Sequence, residues 1–171
     1  MKYSIYNLLP DFGTNTYLVW DTDTKEAVII DPADESVKMY NDIIKQKLII
    51  KAIINTHGHG DHIGGNNFFS QKFSVPVFIH EADAEMLLDP VKNLSIGIGR
   101  KFVSVAAGRK LTDGDEIRLG EKILKVIHTP GHTKGCISLL HEKILFSGDT
   151  LFAESVGRTD FPGGDFEMLR D

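Results

Sequence analysis

Residues 56–62, Thr-His-Gly-His-Gly-Asp-His, gather three of the chain's seven histidines and a carboxylate into one short stretch. In extended backbone His57 and His59 point the same way, and the glycines between them let the chain fold until Asp61 and His62 face the same space. Imidazole nitrogens beside a carboxylate suit zinc or iron. The stretch follows residues 48–54, an apolar and largely β-branched run that reads as a strand covered on both faces, so a rigid support lies beneath it. A histidine-rich surface loop is the plain alternative, and the density of the cluster argues against it. Two further strand ends offer ligands, Thr129-Pro130-Gly131-His132-Thr133 and Ser147-Gly148-Asp149-Thr150. Alone, His132 and Asp149 read as ordinary turn residues; beside residues 57–62 they read as ligands brought in by a second and a third loop.

The remaining reactive side chains carry less. His80, His128 and His141 have no such turn or partners and read as strand-end or surface histidines. Cys136 opens the apolar run Cys-Ile-Ser-Leu-Leu and reads as a buried strand residue rather than a nucleophile. Arg158 and Asp160 read as an internal pair that braces the ligand loops.

The elements that must hold these loops follow from apolar periodicity and turn residues. Strands are predicted at 3–9, 16–20 and 27–30, an amphipathic helix at 34–47, and a helix from 62 or 63 to about 72. A strand at 75–79 and a short helix at 81–88 come next, then a long loop over 89–111 that carries Arg100, Lys101, Arg109 and Lys110. Strands return at 116–119, 123–127, 136–140 and 144–146, and a helix begins at 165. Two sheets with helices outside them account for this order.

Composition bounds the class. A chain of 171 residues with 42% apolar content is one domain's worth of sequence, residues 1–171. A net charge of -5 leaves no electrostatic footprint for gripping nucleic acid. The single cysteine forms no internal disulfide, no secretory signal is visible, and no apolar run approaches the length of a membrane span. A cytoplasmic protein without a membrane partner is the expectation.

THGHGDH, TPGHT and SGDT in this order, followed by residues 157–165, Gly-Arg-Thr-Asp-Phe-Pro-Gly-Gly-Asp, resemble the metallo-β-lactamase-fold hydrolases. Within them the chain is most similar to short glyoxalase II-like proteins of the hydroxyacylglutathione hydrolase type. The resemblance implies an α+β fold, a four-layer αββα sandwich. It implies that His57, His59 and His132 hold a first metal ion, that Asp61 and His62 hold a second, and that Asp149 bridges them, with zinc the expected metal and iron or a mixed pair the alternative. The activity implied is thioesterase action on an S-acyl glutathione by a hydroxide that Asp61 orients, releasing a 2-hydroxy acid and glutathione. Arg100, Lys101, Arg109 and Lys110 are candidates to meet the carboxylates of the glutathione arm, against the plainer reading of a solvated loop.

Family members continue through a helix, a further strand and a Pro-Gly-His-Gly turn whose histidine completes the second metal site, and no histidine follows His141 here. The expectation is therefore a domain lacking that C-terminal strand and helix, with weak second-site affinity, and either a longer native product or a homo-oligomer that covers the region. Two other readings stay open. A persulfide dioxygenase would use one iron on His57, His132 and Asp149, and a metal-binding or interaction scaffold would have no activity. A secreted β-lactamase fits less well, because Asp149 stands where zinc β-lactamases commonly carry cysteine. The tRNA-processing relatives share the histidine signature, but their basic balance is absent.

Overall fold

The structure, a computed structural model, describes residues 1–170; Asp171, the last residue of the expected domain, lies outside them. Six strands form the first sheet in chain order: β1 (Lys2–Asn7), β2 (Asn15–Trp20), β3 (Glu26–Ile30), β4 (Ile49–Ile54), β5 (Val77–His80) and β6 (Arg109–Leu111). β1, β2 and β3 pair antiparallel, and from β3 onward each pairing is parallel. The parallel strands need crossovers, which α1 (Val37–Gln46) and α3 (Asn66–Phe73) supply. The second sheet is an antiparallel meander of β7 (Glu116–Leu119), β8 (Lys122–His128), β9 (Ile137–His141) and β10 (Ile144–Phe146).

Alternation along the first sheet divides the core in two. Leu18, Ile29, Ile53, Val77 and Ile79 face the helices, where Met39, Ile43 and Phe69 cover them. Val19, Val28, Ile30 and Ile54 face the second sheet and meet Leu119, Leu124, Val126, Ile137 and Leu139. The layers are those of the expected α+β sandwich. Among the described residues only α4 (Phe166–Arg170) follows the second sheet, and its approach turns back on the TPGHT loop, where the Asp165 N–H donates to the Gly131 carbonyl at 2.8 Å. Among the described residues no helix is long and apolar enough to cross a membrane.

Several elements differ from expectation. The first helix begins at Val37 rather than 34 because Ser36 caps it, its hydroxyl accepting from the Met39 N–H at 3.1 Å. Its buried stripe is Met39 and Ile43, whereas Val37 and Ile44 are exposed. The helix expected from 62 to 72 is broken into α2 (Gly60–Ile63) and α3, and the one at 81–88 is a 3-10 helix, Glu81–Leu88. The segment 89–111 is not a plain loop. It holds a 3-10 turn, Ser95–Ile98, and strand β6, and Asn93 ties it down by donating from Nδ2 to the carbonyls of Met86 and Phe102, both at 3.0 Å.

Candidate metal centre

β4 ends at Ile54, and the next residues turn sharply into α2, so His57, His59, Asp61 and His62 cluster beyond the C-terminal end of this interior strand. His132 enters from the loop after β8 and Asp149 from the loop after β10. In that last loop Gly148 has φ +51°, and a side chain there would collide with Thr56; only glycine lets the loop lie against the first one.

Nε2 of His57 is 3.1 Å from Nδ1 of His59, which is 3.0 Å from Nε2 of His132. A tetrahedral ion holding nitrogens at about 2.0–2.1 Å spaces them roughly 3.3 Å apart, so the three nitrogens fit one ion. Beside them, Asp149 places Oδ1 3.2 Å from Nε2 of His62 and Oδ2 3.7 Å from Nε2 of His132, so its carboxylate spans two ligand groups. Asp61 lies at the second group, its Oδ2 3.6 Å from Nε2 of His62, and accepts the Thr14 hydroxyl at 2.8 Å. The histidine and carboxylate ligand atoms of His57, His62 and Asp149 lie within 4.8 Å of one another. Nε2 of His62 is buried and faces two carboxylates, Asp149 at 3.2 Å and Asp61 at 3.6 Å, without a well-aligned hydrogen bond to either. The donor set, its spacing and this convergence of an imidazole nitrogen on two carboxylates fit a pair of divalent ions.

The surroundings choose the tautomers. Asp31, 1% exposed, accepts from the Thr56 N–H at 2.7 Å, from the Thr56 hydroxyl at 2.6 Å and from Nδ1 of His62 at 3.0 Å. Because the Thr56 hydroxyl proton goes to Asp31, its oxygen accepts from Nδ1 of His57 at 3.2 Å. Nδ1 of His132 donates to the Arg158 carbonyl at 2.6 Å. Each of these rings therefore keeps a proton on Nδ1 and turns its Nε2 toward the centre. Asp31 was not among the expected site residues. Its signal in the sequence is its position: like Asn55, it is the first polar residue after a buried strand, and it sits at φ +48°, a strained backbone for a non-glycine residue.

Burial pushes the His57 proton affinity well down, helped by the neighbouring histidines, and burial with His132 beside it brings His59 down to about 4. Burial also works against a charged His62, but the carboxylates of Asp31 and Asp149 outweigh it and raise its pKa well above the usual value. The signs give a prediction for the metal-free chain. His57 and His59 are neutral when folded and take up protons when unfolded, so stability falls as pH drops from about 6.5 toward the folded values. The contribution of His62 is full below about 6.5 and is lost as pH rises through its higher folded value. From these groups the melting temperature of chelator-treated protein is expected to peak near pH 6.5, and a melting temperature that rises steadily below that pH would contradict the assignment.

Other expected residues fall elsewhere. Arg100 approaches Asp34 and lies over the Phe102 ring, and with Lys101 it lines a separate cavity beside Asp34 and Glu35. Arg109 pairs with Asp115 and covers Phe78, and Lys110 follows it in β6. The structure brings none of the four to the histidines: β6 carries Arg109 and Lys110 along the sheet, and Arg100 and Lys101 follow the 3-10 turn to lie beside Asp34 and Glu35. Arg158 and Asp160 do pair, at 2.9 and 2.6 Å, but at the surface with both side chains 64% exposed; the brace on His132 is the backbone carbonyl of Arg158. Cys136 is buried and its thiol is pushed up to about 12 by that burial, which removes it as a nucleophile. His80 and His128 stack on each other 4.1 Å apart, outside the groups of converging ligand atoms, and His141 donates from Nδ1 to the Ile123 carbonyl.

A cavity of about 350 Å³ opens over the centre, lined by His59, Asp61, His132 and Asp149 and walled by Leu94, Ile98, Phe152 and Phe161. Its size is that of a small-molecule site. The family model for the metallo-beta-lactamase superfamily matches residues 9–171. A hydroxyacylglutathione hydrolase of Haemophilus influenzae, GloC, is 34% identical over 162 residues, 92% of this chain and 75% of that protein. A probable metallo-hydrolase of Bacillus subtilis, YqgX, is 35% identical over 91% of this chain and 74% of its own length. Among solved structures, the B3 metallo-beta-lactamase BLEG-1 superposes with a TM-score of 0.90 at 37% identity, covering 98% of this chain and 81% of that one. TTHA1623, solved in a di-iron-bound form, gives 0.81 at 31% identity over 99% and 82%. With its ligand cluster, its sandwich and these likenesses in agreement, the chain belongs to the metallo-β-lactamase superfamily.

Proposed function

We propose that the chain is a metal-dependent thioester hydrolase acting on S-acyl glutathione. The observation that carries this reading is Asp149, whose two oxygens reach toward His62 on one side and His132 on the other, making one centre of two ligand groups. His57, His59 and His132 would hold the first ion, and Asp61 and His62 the second, with Asp149 shared. Such ions polarise an acyl carbonyl and bring the pKa of a bound water to about 7. The protein's own groups do the rest. The Thr14 hydroxyl donates to Oδ2 of Asp61 and fixes its carboxylate, which would accept the proton of the attacking water and hold that water in line with the carbonyl. Leu94, Ile98, Phe152 and Phe161 keep bulk water from the acyl carbon. Arg158, 4.2 Å above the Phe161 ring, is the one lysine or arginine among the described residues lining this cavity, and with Nε and Nη2 held by Asp160 it would offer its remaining N–H groups to a carboxylate of the glutathione arm.

The similarity to GloC supports this substrate, and the similarity to a B3 metallo-beta-lactamase names the competitor. The test is metal analysis of the purified chain followed by assay of three compounds on the metal-loaded protein: a 2-hydroxyacyl glutathione thioester, glutathione persulfide and a β-lactam. Thioester turnover that chelation abolishes and zinc or iron restores is expected. Turnover of the persulfide or the β-lactam without turnover of the thioester would overturn the proposal.

A further inference from the structure

Asp83 belongs to no motif and carries no role in the site as described, yet it is 1% exposed. A buried carboxylate is costly unless charge-assisted hydrogen bonds compensate it, so its partners show what it is for. Its Oδ2 accepts from the Gly58 N–H at 3.0 Å and from the Thr133 hydroxyl at 2.6 Å, and its Oδ1 accepts from the Gly135 N–H at 2.8 Å. Gly58 is the residue between His57 and His59, and Thr133 follows His132. One carboxylate is therefore bonded to both loops that deliver the three converging nitrogens, loops far apart in sequence.

Two further observations show that the contact is built. A Cβ on Gly135 would stand 2.6 Å from Cγ of Asp83, so the loop approaches as closely as it does only because that residue is glycine. The direction of the Thr133 hydroxyl is also fixed. Its proton goes to Asp83 while its oxygen lies 3.1 Å from the Cys136 sulfur, whose thiol remains protonated and donates.

We infer that Asp83 is a positioning residue that sets the separation of the His57–His59 and His132 loops and so the geometry and affinity of the three-histidine metal position. The inference rests on the reading of that cluster as a metal site. Asp83 touches neither ion nor substrate; it acts through the backbone of Gly58 and through Thr133. Asparagine in its place keeps the shape but turns an amide N–H₂ toward donors, so one loop must let go.

The experiment is titration of the full chain with cobalt(II), followed by its visible absorption spectrum, and zinc affinity by chelator competition. Wild type, Asp83→Asn and Thr133→Val are compared, with circular dichroism and melting of the metal-free forms as the check on folding. Wild type is expected to bind with a tetrahedral cobalt spectrum. Asp83→Asn is expected to lose roughly 10–100-fold in affinity and to shift the cobalt bands, with Thr133→Val changing both in the same direction but less. A folded Asp83→Asn with wild-type affinity and spectrum would overturn the inference while leaving the metal site standing. If Asp83→Asn does not fold, Thr133→Val decides in the same way, unchanged binding counting against the role. Wild type that binds neither metal would overturn the metal-site reading itself, and this inference with it.

Discussion

Asp61→Asn is expected to lower kcat for the glutathione thioester by about 10²–10⁴, the range for losing a positioned proton acceptor, with KM little changed. Asp61 sits at the cavity wall with Oδ2 engaged by Thr14, so its carboxylate is held in one orientation before substrate arrives. Asparagine preserves volume and can still accept from Thr14, but it cannot take a proton. In the proposed reading the acyl group would meet the apolar wall and not Asp61, so the loss is expected to fall on turnover rather than on binding. Because Asp61 also stands 3.6 Å from His62, metal content is measured on the same sample. A variant that retains its metal and its kcat would remove Asp61 from the proton transfer, and equal losses of kcat and metal would make it a ligand only.

The candidate cluster was legible because its chemistry is concentrated. His57, His59, Asp61 and His62 lie within one short stretch of chain, and His132 and Asp149 each follow an apolar strand, so residue type and position together picked out groups that the fold brings side by side. The supports were not, because a buried carboxylate leaves no periodic trace. Asp83, inside Glu-Ala-Asp-Ala-Glu, has the look of a solvated helix acid, and nothing local shows that a 3-10 turn aims it at glycine N–H groups of two distant loops. The segment 89–111 misled for a related reason. Its order comes from side chains such as Asn93 bonding backbone carbonyls, and apolar periodicity is blind to such bonds. The bases at 100, 101, 109 and 110 show the converse: a long stretch without clear periodicity reads as a free loop able to reach the site, whereas the strand pairing of Arg109 and Lys110 with β5 takes them elsewhere.

Asp31→Asn is expected to destabilise the metal-free protein by about 3–5 kcal/mol, as breaking one partner of a buried charged pair does, which lowers the melting temperature by roughly 6–20 °C at this chain length. The choice of asparagine isolates the cause. Asp31 has φ +48°, a conformation asparagine tolerates better than alanine would, so backbone strain is held nearly constant. What changes is acceptor capacity: three donors, two from Thr56 and one from His62, face a group that now carries a single oxygen and an N–H₂ of its own. The damage spreads to the centre by a defined path. If Thr56 turns its hydroxyl away from the substituted amide, that oxygen no longer accepts from His57 Nδ1; if His62 loses its acceptor, its ring is free to rotate Nε2 away from Asp149. Metal affinity should therefore fall by about 10–100-fold alongside stability. Loss of stability with wild-type metal affinity would confine Asp31 to the core, and a melting temperature within about 2 °C of wild type would show that water or a shifted loop already serves those donors.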